Sequence, residues 1–141
     1  MKNGLAIWHY PHRTVLENVA FFAENGFESV SIHGADMLAV CADENAGKEL
    51  ARLIRDNDLV LTVHAKLPDN HSSKCVLEYE SFINAISAWQ KAYGCLSILS
   101  FDISQKIRDN IASCDVLEWL RTNGIVIAAD ADDNKSLEKT L

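Results

Sequence analysis

A chain of 141 residues with 13 basic and 20 acidic side chains carries a formal net charge of −7, which repels a phosphate backbone and sets nucleic acid aside as a partner. Its hydrophobic fraction of 48% and charged fraction of 23% suit a globular chain with a packed core, not a disordered or fibrous one. No apolar run approaches the roughly 18 residues of a membrane span, and Met1-Lys2-Asn3-Gly4 shows no signal-peptide pattern, so a cytoplasmic protein is expected.

Taken in chain order, the apolar pattern alternates between short strand-like runs and longer helical ones. Residues 4–8 form a first strand reaching Trp8 and His9. Thr14 then opens a helix, because Thr14 and Glu17 stand at capping-box spacing, with Val15, Leu16, Val19, Phe22 and Ala23 as its apolar stripe. Gly26 follows where a left-handed cap is expected. A second strand over 29–32 ends at His33, and a helix over 45–57 turns Leu50, Leu53 and Ile54 to one side. The third strand, 59–63, ends at His64. A helix over 74–93 carries Val76, Tyr79, Phe82, Ile83, Ile86 and Trp89 on one face and stops at Gly94. A fourth strand over 95–99 closes on Ser100, Phe101 and Asp102. A helical region follows, with a break near Ser113 and a second capping box at Asp115 and Glu118. The fifth strand, 124–129, ends at Asp130, and residues 134–141 begin another helix.

Strands separated by helical crossovers predict an α/β fold of successive parallel βα units covered by helices. No linker rich in Pro, Gly or Ser interrupts residues 1–141, so one domain is expected. The cysteines Cys41, Cys75, Cys95 and Cys114 are widely spaced and make no C-x-x-C pair, which predicts reduced thiols instead of a disulfide framework or a zinc knuckle.

The polar residues are informative by position. The last residues of the five strands are His9, His33, His64, Asp102 (or Ser100) and Asp130. In parallel α/β folds ligands bind at the carboxyl ends of the strands, where the loops converge. Imidazoles and carboxylates there form a ligand set for a divalent ion such as zinc, manganese or magnesium. His64 stands out, with Lys66 two residues on as a contact for an anionic substrate group. Trp8 is placed to line the same mouth, whereas Trp89 and Trp119 fall on helices and read as packing. His71 reads as surface loop.

The order of elements resembles the first part of a xylose-isomerase-like TIM barrel, a superfamily that includes sugar-phosphate isomerases and epimerases, inosose dehydratases and apurinic endonucleases related to endonuclease four. The likeness is carried by Asn25-Gly26-Phe27-Glu28-Ser29-Val30 leading into strand 2, by Val63-His64-Ala65 at the end of strand 3, and by residues 123–130 as strand 5. The resemblance implies a partial (β/α)8 barrel of about five strands. It further implies metal-assisted proton transfer next to the carbonyl of a sugar or polyol, with Asp130 and His64 catalytic. Asp130, His64 and His33 would then be metal ligands, and His9, Trp8, His33 and Lys66 substrate contacts. The sequence departs from the family in three places: Asp130 stands where the strand-5 glutamate is usual, His33 where strand 2 often ends in glutamate, and Ser100-Phe101-Asp102 where some members carry a histidine. No strands 6 to 8 are present to supply the remaining ligands, so either a homodimer or a missing C-terminal half is expected to complete the fold. Two alternatives stand beside this reading: an open doubly wound sheet of flavodoxin type, and a non-enzymatic binding or assembly module that uses the same strand ends.

Overall fold

The structure, a computed structural model, describes the backbone of residues 4–7, 12–65, 73–102 and 115–130, and side chains within 12–65, 81–100 and 118–128. Ten elements follow one another among the described residues. They are β1 (Gly4–Ile7), α1 (Val15–Glu24), β2 (Ser29–His33), α2 (Gly34–Ala42), α3 (Glu44–Asp56), β3 (Val60–Ala65), α4 (Ser73–Tyr93), β4 (Leu96–Asp102), α5 (Asp115–Thr122) and β5 (Val126–Asp130). The expected break near Ser113, the helix over 134–141, and the side chains of Asp115, Cys75 and Cys114 lie outside the described residues.

All five strands are parallel, and they lie in the order β1-β2-β3-β4-β5. A flavodoxin-type sheet has the order 2-1-3-4-5, because its chain reverses direction once to place helices on both faces. Sequential order arises when every right-handed crossover falls on the same side, so the doubly wound alternative is set aside in favour of an arc of a barrel.

Burial confirms the one-sided arrangement. Along β2 and β3 buried residues alternate with half-buried ones: Val30, Ile32, Leu61, Val63 and Ala65 are sealed, while Ser29, Ser31, His33, Val60, Thr62 and His64 are not. Leu99 continues the sealed face on β4. Against that face pack Val19 and Phe22 from α1, Met37 from α2, Leu50 and Ile54 from α3, Phe82, Ile83 and Ile86 from α4, and Leu120 from α5. The described residues of the other face are half-buried or exposed and not part of this core. The apolar runs of the sequence conceal this alternation because Val60, Ile98 and Val126 fall on the open face.

The helix ends explain how the chain is handed from helix to strand. At the start of α1 the capping box is complete: the Thr14 amide donates to Glu17 Oε2 at 2.7 Å and the Glu17 amide to Thr14 Oγ1 at 3.2 Å. Three helices then leave by the same turn. Asn25, Asn57 and Asn123 each donate a side-chain N–H to the carbonyl four residues back, at 2.7, 2.9 and 2.8 Å. The next residue is left-handed, with φ of 79° at Gly26, 49° at Asp58 and 82° at Gly124. The apolar residue after it, Phe27, Leu59 or Ile125, donates its amide to the carbonyl of Phe22, Ile54 or Leu120. This is the Schellman closure, which satisfies the last carbonyls of the helix and aims the chain at the next strand. At α1 the Phe22 and Phe27 rings add the usual apolar contact, edge-on with centroids 5.6 Å apart.

Helix α4 ends differently. Gln90 accepts the Leu96 amide on its side-chain oxygen at 2.8 Å, while Arg55 and the Cys95 thiol both donate to the Tyr93 carbonyl. Burial pushes the Cys95 thiol up, and the Cys41 thiol up to about 11, so both are held protonated. Both are free cysteines, as the sequence predicts.

Candidate functional site

Helix α2 is a local surprise with consequences for the site. From the sequence, residues 36–45 are read as a loop ahead of the helix over 45–57. The structure instead begins α2 directly after the strand, with the His33 side chain as its N-cap. The Ala35 amide donates to His33 Nδ1 at 3.4 Å, so the imidazole replaces the customary hydroxyl or carboxylate. Asp43 ends α2 and caps α3, accepting the amides of Asn45 and Ala46 on Oδ1.

Gly34 makes the sharp exit possible. A Cβ there would lie 3.1 Å from Phe82 Cε2, 3.2 Å from the His64 carbonyl oxygen and 3.3 Å from Ala65 Cα. The first turn of α2 therefore sits directly on the end of β3, where a side chain would hold it away. This contact fixes the ends of β2 and β3 relative to each other.

Strand register brings the candidates into one row. His33 stands opposite His64, His64 opposite Ser100, and Ser100 opposite Ala128. Neighbouring parallel strands lie about 4.8 Å apart, so the two imidazoles are immediate neighbours on the open face. His64 Nδ1 and Ser100 Oγ are 2.9 Å apart and hydrogen-bonded. One row down, Ser31 and Thr62 stand side by side, with Ile98 and Val126 completing that row. All of these side chains except Val126 are half-buried. Among the described side chains of this face, from Ser29 through Ala128, no residue is acidic, lysine or arginine. In a chain of net charge −7 the described side chains of this face are thus hydroxyl, imidazole and apolar groups.

Of the residues expected from the sequence, His33 and His64 are brought together. The backbone of Asp130 ends β5 in register with Asp102, two residues beyond the row of His64. The side chains of Asp130 and Asp102, and all of Trp8, His9 and Lys66, lie outside the described residues. Ser100 enters the site as a hydrogen-bond partner, which its place among the polar residues after strand 4 does not show. Its pairing depends on the register shift between Leu61 and Thr62, an irregularity with no sequence signature here.

The donor set can be compared with the needs of a divalent ion. A metal ligand presents a nitrogen lone pair, yet His33 already accepts a backbone N–H on Nδ1, so in the neutral ring Nε2 bears the proton and donates. Among the described residues no group of three or more His, Cys, Asp or Glu side chains converges as an ion would require. The described residues therefore do not fit a metal centre by themselves.

No protein-family model matches the chain, and no curated protein matches it. Solved structures do. The probable 3-DHS dehydratase AsbF from Bacillus anthracis, involved in petrobactin synthesis, is similar with a TM-score of 0.63 at 18% identity, over 90% of this chain and 51% of that one. D-psicose 3-epimerase, solved in the presence of D-fructose, is similar with a TM-score of 0.59 at 10% identity, again over 90% of this chain and 51% of that one. The chain thus spans about half the length of these structures. The fold is that of part of a TIM barrel, as the order of elements in the sequence implies.

Proposed function

We propose that this chain binds a small sugar or polyol at the carboxyl ends of its strands and serves an isomerase- or epimerase-type reaction, in which a proton moves on and off the carbon next to a carbonyl. The observation that carries the reading is the single row of His33, His64 and Ser100 on the face opposite the described helices. That one of the fold's neighbours is an epimerase and another a probable dehydratase supports the same class of chemistry.

Removing a proton beside a carbonyl leaves negative charge on the carbonyl oxygen, and the reaction is fast only where donors meet that charge. His33 Nε2–H is such a donor. A base must stand on the carbon side, within hydrogen-bond reach and able to return the proton. His64 and Asp130 are the groups proposed for that exchange. Lys66 would hold a phosphate or other anionic group when the substrate carries one, and Trp8 and His9 would line the mouth. Asp130 is a methylene shorter than glutamate, so it would reach less far into the row.

The sheet needs further strands to enclose a ligand. Among the described residues β1 and β5 are the edges of the sheet, where a strand has no neighbour on one side, and Val126 on β5 is 57% exposed. A second copy of the chain is proposed as the partner that covers the open face. Light scattering on a size-exclusion column is expected to give the mass of a dimer, and a stable monomer would leave that face to a different half-barrel.

The activity is tested by incubating the protein with D-fructose or D-psicose in heavy water and following the carbon-bound protons next to the carbonyl by NMR. Deuterium is expected to wash in, and the rate is expected to fall at least about a hundredfold in His64→Ala, the usual scale for losing a general acid–base group. Retention of every proton across a panel of ketoses and aldoses would overturn the proposal.

A further inference from the structure

The register of β3 on β4 begins with Leu61 opposite Leu96 and resumes with Thr62 opposite Ile98, so Ser97 is an extra residue, a bulge in β4. Leu96 and Leu99 are both buried, and Ser97 and Ile98 between them are both half-buried. Regular alternation counted from Leu96 would turn Leu99 to the open face and Ser100 toward the core. The bulge reverses that alternation and sets Ser100 beside His64. Upstream, the Leu96 amide donates to Gln90 Oε1 at 2.8 Å in a buried hydrogen bond, so α4 pins the start of the strand. The backbone of His64 is held as well: a Cβ on Gly34 would lie 3.2 Å from its carbonyl oxygen, with the first turn of α2 seated directly on it. His64 is thus fixed at its backbone by α2 and met at its ring by a hydroxyl that a bulge delivers.

An imidazole turns about two side-chain bonds, and the second of these has a broad preference, so packing alone leaves the plane of the ring loosely set. A hydrogen bond of 2.9 Å between His64 Nδ1 and Ser100 Oγ sets it, whichever of the two atoms donates. Orientation matters most for a group that must pass a proton to and from one particular carbon. We propose that Ser100 is the positioning residue of His64, its hydroxyl fixing the plane of the imidazole for the proton exchange beside the sugar carbonyl. Ser100 acts through His64 and takes no proton from the sugar. This deepens the reading of the site as one for sugars or polyols and rests on it for the reaction, whereas the hold on the ring is a property of the protein alone.

Carbon-13 relaxation of the histidine ring C–H groups, measured on the whole chain without ligand, reads that hold directly, with the exposed His12 as the internal standard of a mobile ring. The His64 ring is expected to be more ordered than that of His12, and in Ser100→Ala its order is expected to fall toward the His12 value. Ser100→Thr, which keeps the hydroxyl, is expected to retain the wild-type order and controls for folding. A His64 ring equally ordered in Ser100→Ala would overturn the proposal. In the same three proteins deuterium wash-in is followed at saturating D-fructose or D-psicose. The rate is expected to fall about tenfold to a hundredfold in Ser100→Ala, with KM nearly unchanged, and to recover in Ser100→Thr. Exchange at the wild-type rate in Ser100→Ala would sink the proposal and leave the sugar reading standing. A wild-type protein that exchanges no proton overturns the sugar reading and, with it, the part of Ser100 in that reaction.

Discussion

On the helix side of the sheet, Val30, Ile32, Leu61, Val63 and Leu99 are almost wholly shielded from water. One residue along each strand, on the other side, stand Ser31, His33, Thr62, His64 and Ser100, half-buried and polar. The same strands thus carry two surfaces built to different rules. The covered side is close-packed, so every methylene counts there. The open side trades packing for hydrogen-bonding groups aligned by register, and its value lies in what those groups present to a ligand. A strand that must serve both sides cannot slip by one residue, because a slip would move the imidazoles into the core and the leucines out of it.

The largest expected effect separates the two sides by stability. Leu61→Ala, at a fully buried position, should cost about 3 kcal/mol in chemical denaturation, whereas Thr62→Ala next to it should stay within about 1 kcal/mol. Equal costs would mean that the open face is as tightly packed as the covered one, and the contrast would collapse. Gly34→Ala tests the place where the sides meet, since its new Cβ must push on Phe82 and on the backbone of His64 and Ala65. A loss of about 1–3 kcal/mol is expected, the usual cost of overpacking, together with displaced His64 ring resonances. A stability loss without any change at His64 would uncouple helix α2 from the site.

The smallest effect concerns the helix side alone and is electrostatic. The amide and hydroxyl of Thr14 hold the Glu17 carboxyl below its usual 4.5, with the backbone hydrogen bond as the larger cause. Since the folded value is the lower one, this contribution is present above the unfolded value near 4.5 and fades as pH falls through the folded one. Thermal unfolding at about pH 7 and about pH 3 should therefore show a shallower acid loss in Glu17→Gln than in the wild type, with the His33 and His64 rings unaffected by the substitution.

Much of this architecture is legible in the sequence where the determining interaction is local. Thr14 with Glu17 announces α1, and Gly26 announces its end, because these motifs close within a few residues. Asp58 makes the same left-handed turn but escapes notice, since a non-glycine residue at positive φ leaves no mark in the sequence. Helix α2 is hidden for a related reason: its cap is a histidine, and its close seat depends on Phe82 and β3, far along the chain. The strand-end histidines are visible as a position in a pattern, while the His64–Ser100 bond is not, because register across β3 and β4 is set by a shift in tertiary structure.

The repeated helix exit also bears on how the protein ages. Asn25-Gly26 and Asn123-Gly124 are the dipeptides most prone to lose ammonia, because a glycine amide nitrogen readily attacks the preceding asparagine side chain to form a succinimide. In the folded chain both partners of that attack are committed elsewhere: the Asn25 and Asn123 side-chain N–H groups are donated to Phe21 and Trp119, and the Gly26 and Gly124 amides to Ala23 and Arg121. Deamidation at these sites then proceeds through molecules in which the helix end has opened. The slow accumulation of aspartate and isoaspartate in a stored sample becomes a chemical clock for the fraying of α1 and α5.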